Sequence, residues 1–160
     1  MANRSIADTL AHMQLTSPAF TNNSTIPQKY GQNFEDINPP LTITDLPAGT
    51  ISLALTMDDP DVPAMAGVPV WDHWVVFNIP AIITEIPEAW TINGTKGKGT
   101  RGKLEYSGPK PPDREHRYFF RIYALDTMMN LPEGSTKDQL LAAIERHVLA
   151  QSELMGRFAP

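Results

Sequence analysis

The sequence predicts a mainly β protein: a two-sheet antiparallel β-sandwich with one C-terminal helix. Three observations lead to this fold class. The 160 residues include 15 prolines and 10 glycines, which is many for a helical protein. Short apolar segments with strand-like patterns recur between long turns, and they do not alternate with helices as in βαβ units. A convincing helical pattern occurs only once, late in the chain.

Composition sets the broad class of protein. A chain of this length forms one domain that can bury a core without disulfides or metals. The formal net charge of −5 argues against nucleic acid as a partner. The lack of cysteine excludes disulfides, cysteine-ligated zinc and a thiol nucleophile. No segment has the ~20 apolar residues of a membrane span and the first residues lack a signal-peptide core, so we expect a cytoplasmic protein if the chain is complete.

We divide the chain into an N-terminal extension, residues 1–14, and a single domain, residues 15–160. Within the extension, Ile6, Leu10 and Met13 are spaced for a short amphipathic helix or turn. This element is expected to pack on the domain or to mediate self-association.

The first part of the domain is predicted to be mostly loop. Residues 14–20 have the pattern of a strand, whereas residues 21–38 are polar and predict a loop. The Asn-Pro-Pro sequence at 38–40 forms a rigid corner in which one X-Pro bond could be cis. Residues 41–44 predict a short strand at a sheet edge.

The middle of the chain contains two clear strands. Residues 51–57 alternate in polarity, which predicts a half-buried strand whose apolar face carries Ile51, Leu53, Leu55 and Met57. Residues 74–79 are apolar on both faces, which predicts a strand in the centre of a sheet. Residues 82–87 follow at the distance of a hairpin partner.

The last part of the chain combines a basic loop, a strand and the helix. Residues 91–103 include GTKGKGTRGK, which lacks the spacing of a phosphate-binding loop and predicts a mobile surface loop, or one that helps to hold an anionic ligand. Residues 117–126 predict a second strong strand. A capping box at residues 136–139 begins the helix, and its apolar stripe consists of Leu140, Leu141, Ile144 and Val148. Gly156 is expected to end the helix or the segment that follows it.

Two segments carry the candidate binding and catalytic side chains. An acidic proline turn, DDPDVP at residues 58–63, follows the first clear strand, and Trp71-Asp72-His73 precedes the next. A stiff Gly-Pro-rich turn at residues 106–112 precedes His116-Arg117-Tyr118. If these strands are neighbours, their ends bring together Asp59, His73, His116 and Tyr118.

These residue types suit the binding of an anion. Imidazoles near their ordinary pKa can donate hydrogen bonds to an oxyanion, and Tyr118 adds a neutral donor. Backbone amides near Gly108 can approach a ligand closely. Asp59 is compatible with an anion if it orients a histidine or shares a proton with the ligand.

Other interpretations of the same residues remain open. Asp59 and Asp61 can simply cap a proline turn, and the histidines can be hydrogen-bonded core residues. Two histidines with carboxylates can hold a metal, although no local metal-binding spacing is present. An enzyme would use His73 or His116 as the general base of a hydrolase or lyase, without a GxSxG elbow. A protease or kinase inhibitor acting through an exposed loop is the third class.

Three motifs in order give the sequence a family resemblance: DPDVP at 59–63, WDHWVVFNIP at 71–80 and YSGPKPPDREHRYFFRIYALD at 106–126. They resemble the phosphatidylethanolamine-binding protein family, and within it the bacterial and archaeal branch of Raf-kinase-inhibitor-like proteins. The similarity runs from about Leu15 to Phe158. It implies a two-sheet antiparallel β-sandwich with a small anion pocket at one end, in agreement with the pattern of strands.

The resemblance also implies a set of ligand-binding residues and partners. Matched motif by motif, these residues are Asp59, Asp61, Pro63, Trp71, His73, Gly108, Pro109, His116 and Tyr118. No catalytic residue, metal or cofactor is implied. The family name implies phospholipid headgroups and kinase regulation. The expected partners are a small anionic or phosphorylated ligand and a kinase or protease, with homodimerisation as a further expectation. Departures from the family pattern, at Glu105, Ser107, Lys110 and the charged Asp113-Arg114-Glu115, predict a tighter and more selective pocket rim.

Overall fold

A computed structural model describes residues 12–160, and it contains nine strands, one α-helix and two short 3-10 helices within that range. The smaller sheet has three strands in the order β1 (Gln14–Thr16), β3 (Leu41–Thr44) and β6 (Glu85–Ile86). The larger sheet has six, in the order β2 (Ser24–Thr25), β9 (Val148–Phe158), β8 (His116–Leu125), β4 (Ser52–Asp59), β5 (Trp71–Pro80) and β7 (Thr95–Lys96). The predicted two-sheet β fold is therefore confirmed. Pairing is antiparallel except between β2 and β9.

The larger sheet is covered on both faces. One face packs with the small sheet in the main core, which includes Leu53, Leu55 and Trp74. The other face packs under the helix, where Ala54 and Phe77 belong to a second core. Every residue of β4 is consequently buried, so the predicted half-buried strand is wrong. The burial of β5 on both faces is confirmed, but it lies one strand from the sheet edge, beside the two-residue β7.

The helix α1 (Lys137–Ile144) has the predicted start. Thr136 accepts from the backbone of Gln139, and the Gln139 side chain accepts from the backbone of Thr136, which completes the capping box. The helix is only eight residues long, and Val148 belongs to the following strand rather than to the helical stripe.

The C-terminal strand β9 was not predicted as a strand. It pairs antiparallel with β8 along its length, from His116 opposite Phe158 to Leu125 opposite Val148. Gly156 lies inside this strand instead of ending a segment. A Cβ at this position would overlap the side chain of Ile26, so the close approach requires glycine.

Several predictions for the first half of the chain are wrong in detail. The first strand ends at Thr16, and the segment that was expected to be loop contains β2 and a 3-10 helix, Gln28–Tyr30. The predicted edge strand β3 lies in the middle of the small sheet. Residues 82–87 do not form a hairpin with β5, because β6 pairs with β3 in the other sheet.

Two expectations concern the N-terminus and the proline corner. Ile6 and Leu10 lie outside the described residues, whereas Met13 is buried in the main core with 1% exposure. No peptide bond in the described range is cis, so the alternative of a cis bond at the Asn38-Pro39-Pro40 corner is not realised.

Candidate functional site

The antiparallel arrangement brings the predicted residues to one end of the larger sheet. The C-terminal end of β4 meets the N-terminal ends of β5 and β8, with Asp59 opposite Trp71 and Asp58 opposite Phe119. A cavity of about 510 Å³ lies at this end. Six of the predicted ligand-binding residues line it: Asp59, Pro63, Trp71, His73, His116 and Tyr118.

His73 presents one unpaired nitrogen at this cavity. Its side chain is buried, and Nδ1 lies 2.7 Å from the carbonyl oxygen of Ser107. Because a carbonyl only accepts, Nδ1 carries the proton, and Nε2 has no hydrogen-bond partner among residues 12–160. Burial lowers the pKa of His73 below its ordinary 6.5, against the opposing effect of the Ser107 carbonyl and Asp59. The neutral ring therefore offers a lone pair, and on protonation it becomes a charged donor.

His116 lies on the cavity wall, but its nitrogens contact the protein. Nδ1 is 2.6 Å from Oδ2 of Asp59, and Nε2 is 2.7 Å from Oδ1 of Asp113. A neutral imidazole has one donor and one acceptor, whereas two carboxylate partners require two donors, so the pattern fits an imidazolium. Both histidines were expected to donate to an anion. In this arrangement neither nitrogen of His116 is free to do so.

Asp59 contacts His116, as required by the first of the two alternatives considered for it, the orientation of a histidine. The residue is 2% exposed; Oδ2 contacts His116 and Oδ1 accepts from the backbone N–H of Asp61 at 2.7 Å. Tyr118 is also buried, and its hydroxyl has no well-aligned hydrogen bond within the described residues. Burial, with a smaller effect of Asp59, raises the pKa of Tyr118 above its ordinary value of 10. The hydroxyl is therefore a neutral donor without a well-aligned partner.

Asp61 does not line the cavity. Its Oδ2 accepts from the backbone N–H and from Nε of Arg117, each at 2.9 Å, and its Oδ1 accepts from Nη2 at 2.8 Å. These hydrogen bonds lower the pKa of Asp61 to about 2. Asp61 therefore fastens the proline turn to the start of β8 instead of facing a ligand.

Gly108 and Pro109 also act behind the cavity wall. The Gly108 N–H donates to Asp36 at 2.6 Å, and the carbonyl of Pro109 accepts from the backbone of Gln32 at 2.9 Å. A Cβ on Gly108 would overlap the carbonyl oxygen of Tyr30, so only glycine permits this approach. The pair thereby holds Gln32, a wall residue that the sequence did not indicate.

Two cations at the cavity were not among the predicted ligand-binding residues, although Lys110 was expected at the pocket rim. Arg101 and Lys110 line the cavity, are exposed, and form no ion pair with any residue of 12–160. Thr100 places Arg101, because its backbone N–H donates to the Asp72 carbonyl at 2.9 Å and its Oγ1 accepts from the Asp72 N–H at 2.8 Å. The basic run around Arg101 was the available signal. Ser107, which was expected at the pocket rim, also lies in the wall. The remaining wall residues, which the sequence did not indicate, are Val62, Met65, Ala66 and Pro112.

A buried ion cluster links the helix to two of the three site strands, β4 and β5. Nζ of Lys137 lies 2.8 Å from Asp58 on β4 and 2.6 Å from Asp72 on β5, next to Asp59 and His73 in sequence. Arg121 also contacts Asp58, at 2.9 Å. The helix therefore ties together the strand ends that carry the site.

Two features are absent from the residues that the structure describes. Within residues 12–160, no group of three or more His, Asp or Glu side chains has the arrangement to hold a metal ion. In the same range, no helix has both the length and the apolar character needed to cross a membrane.

Residues 16–159 match the sequence profile of the family described as phosphatidylethanolamine-binding protein. A UPF0098 protein of Chlamydia pneumoniae is 46% identical over 147 residues, covering 91% of this chain and 98% of the relative. A UPF0098 protein of Methanothermobacter thermautotrophicus is 42% identical over 152 residues, covering 91% of this chain and 98% of the relative. The sequence relatives therefore include both bacterial and archaeal proteins.

Solved structures give the same result. The crystal structure of a phosphatidylethanolamine-binding protein homologue from Chlamydia trachomatis has a TM-score of 0.89 and 42% identity, over 93% of this chain and 97% of that one. E. coli YbcL, described as a member of the mammalian family, has a TM-score of 0.84 and 26% identity, over 92% of this chain and 98% of that one. The chain belongs to the phosphatidylethanolamine-binding protein family.

Proposed function

We propose that the protein binds a small anion of the phosphoryl class in the cavity at the end of the larger sheet. The observation that carries this proposal is the unpaired Nε2 of His73 on the cavity wall. Tyr118, whose hydroxyl makes no well-aligned hydrogen bond, and the cations Arg101 and Lys110 line the same cavity. Positive groups without partners are notable here, because the chain has a net charge of −5.

Binding of an anion would be coupled to protonation of His73. An anion at Nε2 favours the imidazolium and offsets the burial that disfavours it, so the ring takes up a proton as the ligand binds. Tyr118 then contributes a neutral donor. Repulsion by Asp59 is reduced, because its charge is already compensated by His116 at 2.6 Å.

The direct test is an NMR titration with inorganic phosphate and phosphoethanolamine. We expect His73→Ala to weaken phosphate binding about ten- to a hundredfold, the loss expected for a hydrogen bond to a charged group. His147→Ala is the matched control, because His147 is a surface histidine paired with Asp126. Equal phosphate affinity in wild type and His73→Ala would refute the proposal.

A second candidate function follows from the same nitrogen. A neutral histidine whose Nδ1–H is fixed by a carbonyl and whose Nε2 is free has the arrangement of a general base. In a hydrolase, Nε2 of His73 would take a proton from water as the oxygen attacks the substrate. His116 lacks a free nitrogen for this role. Incubation with small esters and phosphate monoesters, followed by NMR, separates the candidates, because only an enzyme gives turnover that His73→Ala abolishes.

Regulation of a kinase or another protein remains a further part of the proposal. It would follow if the anion in the cavity were a phosphorylated side chain of the partner. Cytoplasmic location is likewise carried over as an expectation from the sequence. Retention of phosphorylated but not dephosphorylated protein on the immobilised chain would support a protein partner, and its absence would leave a free small anion as the ligand.

A further inference from the structure

We infer that Asp113 is a tethered competitor of the ligand, a group of the chain itself that takes the ligand's place. Its carboxylate accepts the hydrogen bond from Nε2–H of His116, and an anion in the cavity binds by displacing it. This inference rests on the proposed anion-binding function. It adds Nε2–H of His116 as a donor for the ligand, and it assigns a regulatory role to Asp113, which lies outside the cavity wall.

The two carboxylates that contact His116 are held very differently. Asp59 is 3% exposed in its side chain, and a second hydrogen bond, from the backbone of Asp61 to Oδ1, fixes it. Asp113 is 40% exposed in its side chain, and its Oδ1 makes a single close contact, at 2.7 Å to Nε2. Asp113 is therefore the partner that can leave.

Displacement of each carboxylate has a different consequence. If Asp59 moved away from His116, a buried charge would lose its counterion, which is strongly unfavourable. Asp113 already contacts water, so its carboxylate is solvated when it moves outward. Nε of Arg114 lies 3.8 Å from its Oδ2 and remains available as a counterion.

The position of His116 makes the released donor useful. The His116 ring lines the cavity, and so do Lys110 and Pro112 from the segment that leads to Asp113. An incoming anion that replaces Asp113 keeps the imidazolium between two negative groups, Asp59 and the ligand. The charge pattern around the buried ring is thereby conserved, and only the outer carboxylate is exchanged.

A tethered competitor affects ligands in a defined way. The apparent affinity of any anion that uses Nε2 of His116 is reduced by the fraction of molecules in which Asp113 has left. This reduction is the same factor for every such anion. Asp113 therefore lowers affinity without changing the preference between phosphate and sulfate.

The test compares Asp113→Ala and Asp113→Asn with wild type in titrations with inorganic phosphate and with sulfate. We expect Asp113→Ala to tighten both anions by a similar factor of about ten, since one charge-assisted hydrogen bond no longer competes and half-exposure weakens it. Asp113→Asn keeps the shape of the side chain and should give a smaller gain. Glu115→Ala removes one charge from the same segment without touching His116, and it should change affinity little.

The outcomes separate this inference from the proposed function. If wild type binds phosphate through His73 and Asp113→Ala binds it equally or more weakly, Asp113 only positions His116 and the inference is wrong. If Asp113→Ala and Glu115→Ala gain equally, the effect is general electrostatics and the inference is also wrong. If no variant binds either anion although all unfold cooperatively, the proposed function itself fails. A phosphate-dependent shift of the His116 Nε2 resonance in wild type supports displacement directly.

Discussion

Asp61→Asn tests whether Asp61 is a structural clamp or a ligand residue. The folded protein lowers the pKa of this carboxyl from 3.8 to about 2, chiefly through the hydrogen bonds from Arg117. A shift of that size corresponds to about 2.5 kcal/mol at neutral pH. Arg117 is 51% exposed in its side chain, and solvent screening reduces the expected loss of unfolding free energy to about 1–2 kcal/mol.

The stabilisation by the Asp61 carboxylate should depend on pH in a defined direction. A carboxyl with a depressed pKa in the folded state stabilises the protein above its unfolded pKa, and this contribution is lost as pH falls through the folded value. The stability difference between wild type and Asp61→Asn should therefore be full above pH 4 or so and should shrink toward pH 2 or so. Urea unfolding at a series of pH values measures it. Asp126→Asn is the control, because Asp126 pairs with His147 at the surface.

The anion affinity of Asp61→Asn decides between the two roles. A clamp outside the cavity predicts phosphate binding close to that of wild type in the folded variant. A large loss of phosphate affinity without a loss of stability would mean that Asp61 contacts the ligand, and the role assigned from its Arg117 contacts would be wrong.

Two further substitutions probe the cavity mouth and its support. Arg101→Ala should weaken phosphate binding about three- to tenfold and reduce its salt dependence, since one exposed cation is lost. The control is Lys103→Ala, because Lys103 lies on the same loop but outside the cavity wall. Equal effects of both substitutions would contradict a specific role for Arg101. Lys137→Met should lower the unfolding free energy by about 2–4 kcal/mol, because Asp58 and Asp72 lose a buried counterion while Arg121 still compensates Asp58. A loss below about 1 kcal/mol in urea unfolding would show that the cluster does not stabilise the fold.

The convergence of the site was predictable because it depends on strand ends. Asp59, His73, His116 and Tyr118 lie at the ends of the adjacent strands β4, β5 and β8, and antiparallel pairing of neighbouring strands was enough to bring them together. The capping box of α1 was predictable for a similar reason, because its hydrogen bonds are local in sequence.

Features that depend on contacts between distant segments were not predictable. The pattern of β4 suggested one solvated face, but the helix and its core cover that face. The strand β9 is mixed in polarity, and its burial follows from pairing with β8 and from the close approach of Ile26 to Gly156. Neighbouring residues alone do not reveal such contacts.

The roles of individual site residues depended on the same long-range contacts. Asp61 shares a motif with Asp59, but its pairing with Arg117 removes it from the cavity. Gly108 and Pro109 match the family motif, yet they fix the segment around Gln32 from behind. Arg101 reaches the cavity because Thr100 is hydrogen-bonded to the backbone of Asp72, which the composition of a basic loop does not show.

The most direct test of the central claim is proton uptake by His73 when an anion binds. Sulfate is the suitable probe, because it does not titrate near neutral pH, whereas phosphate does. Calorimetric titrations in two buffers with different ionisation enthalpies measure the number of protons taken up. Burial lowers the pKa of free His73, so we predict uptake of up to about one proton per bound sulfate in wild type and none in His73→Ala. Sulfate binding with no proton uptake, or with the same uptake in His73→Ala, would contradict the account.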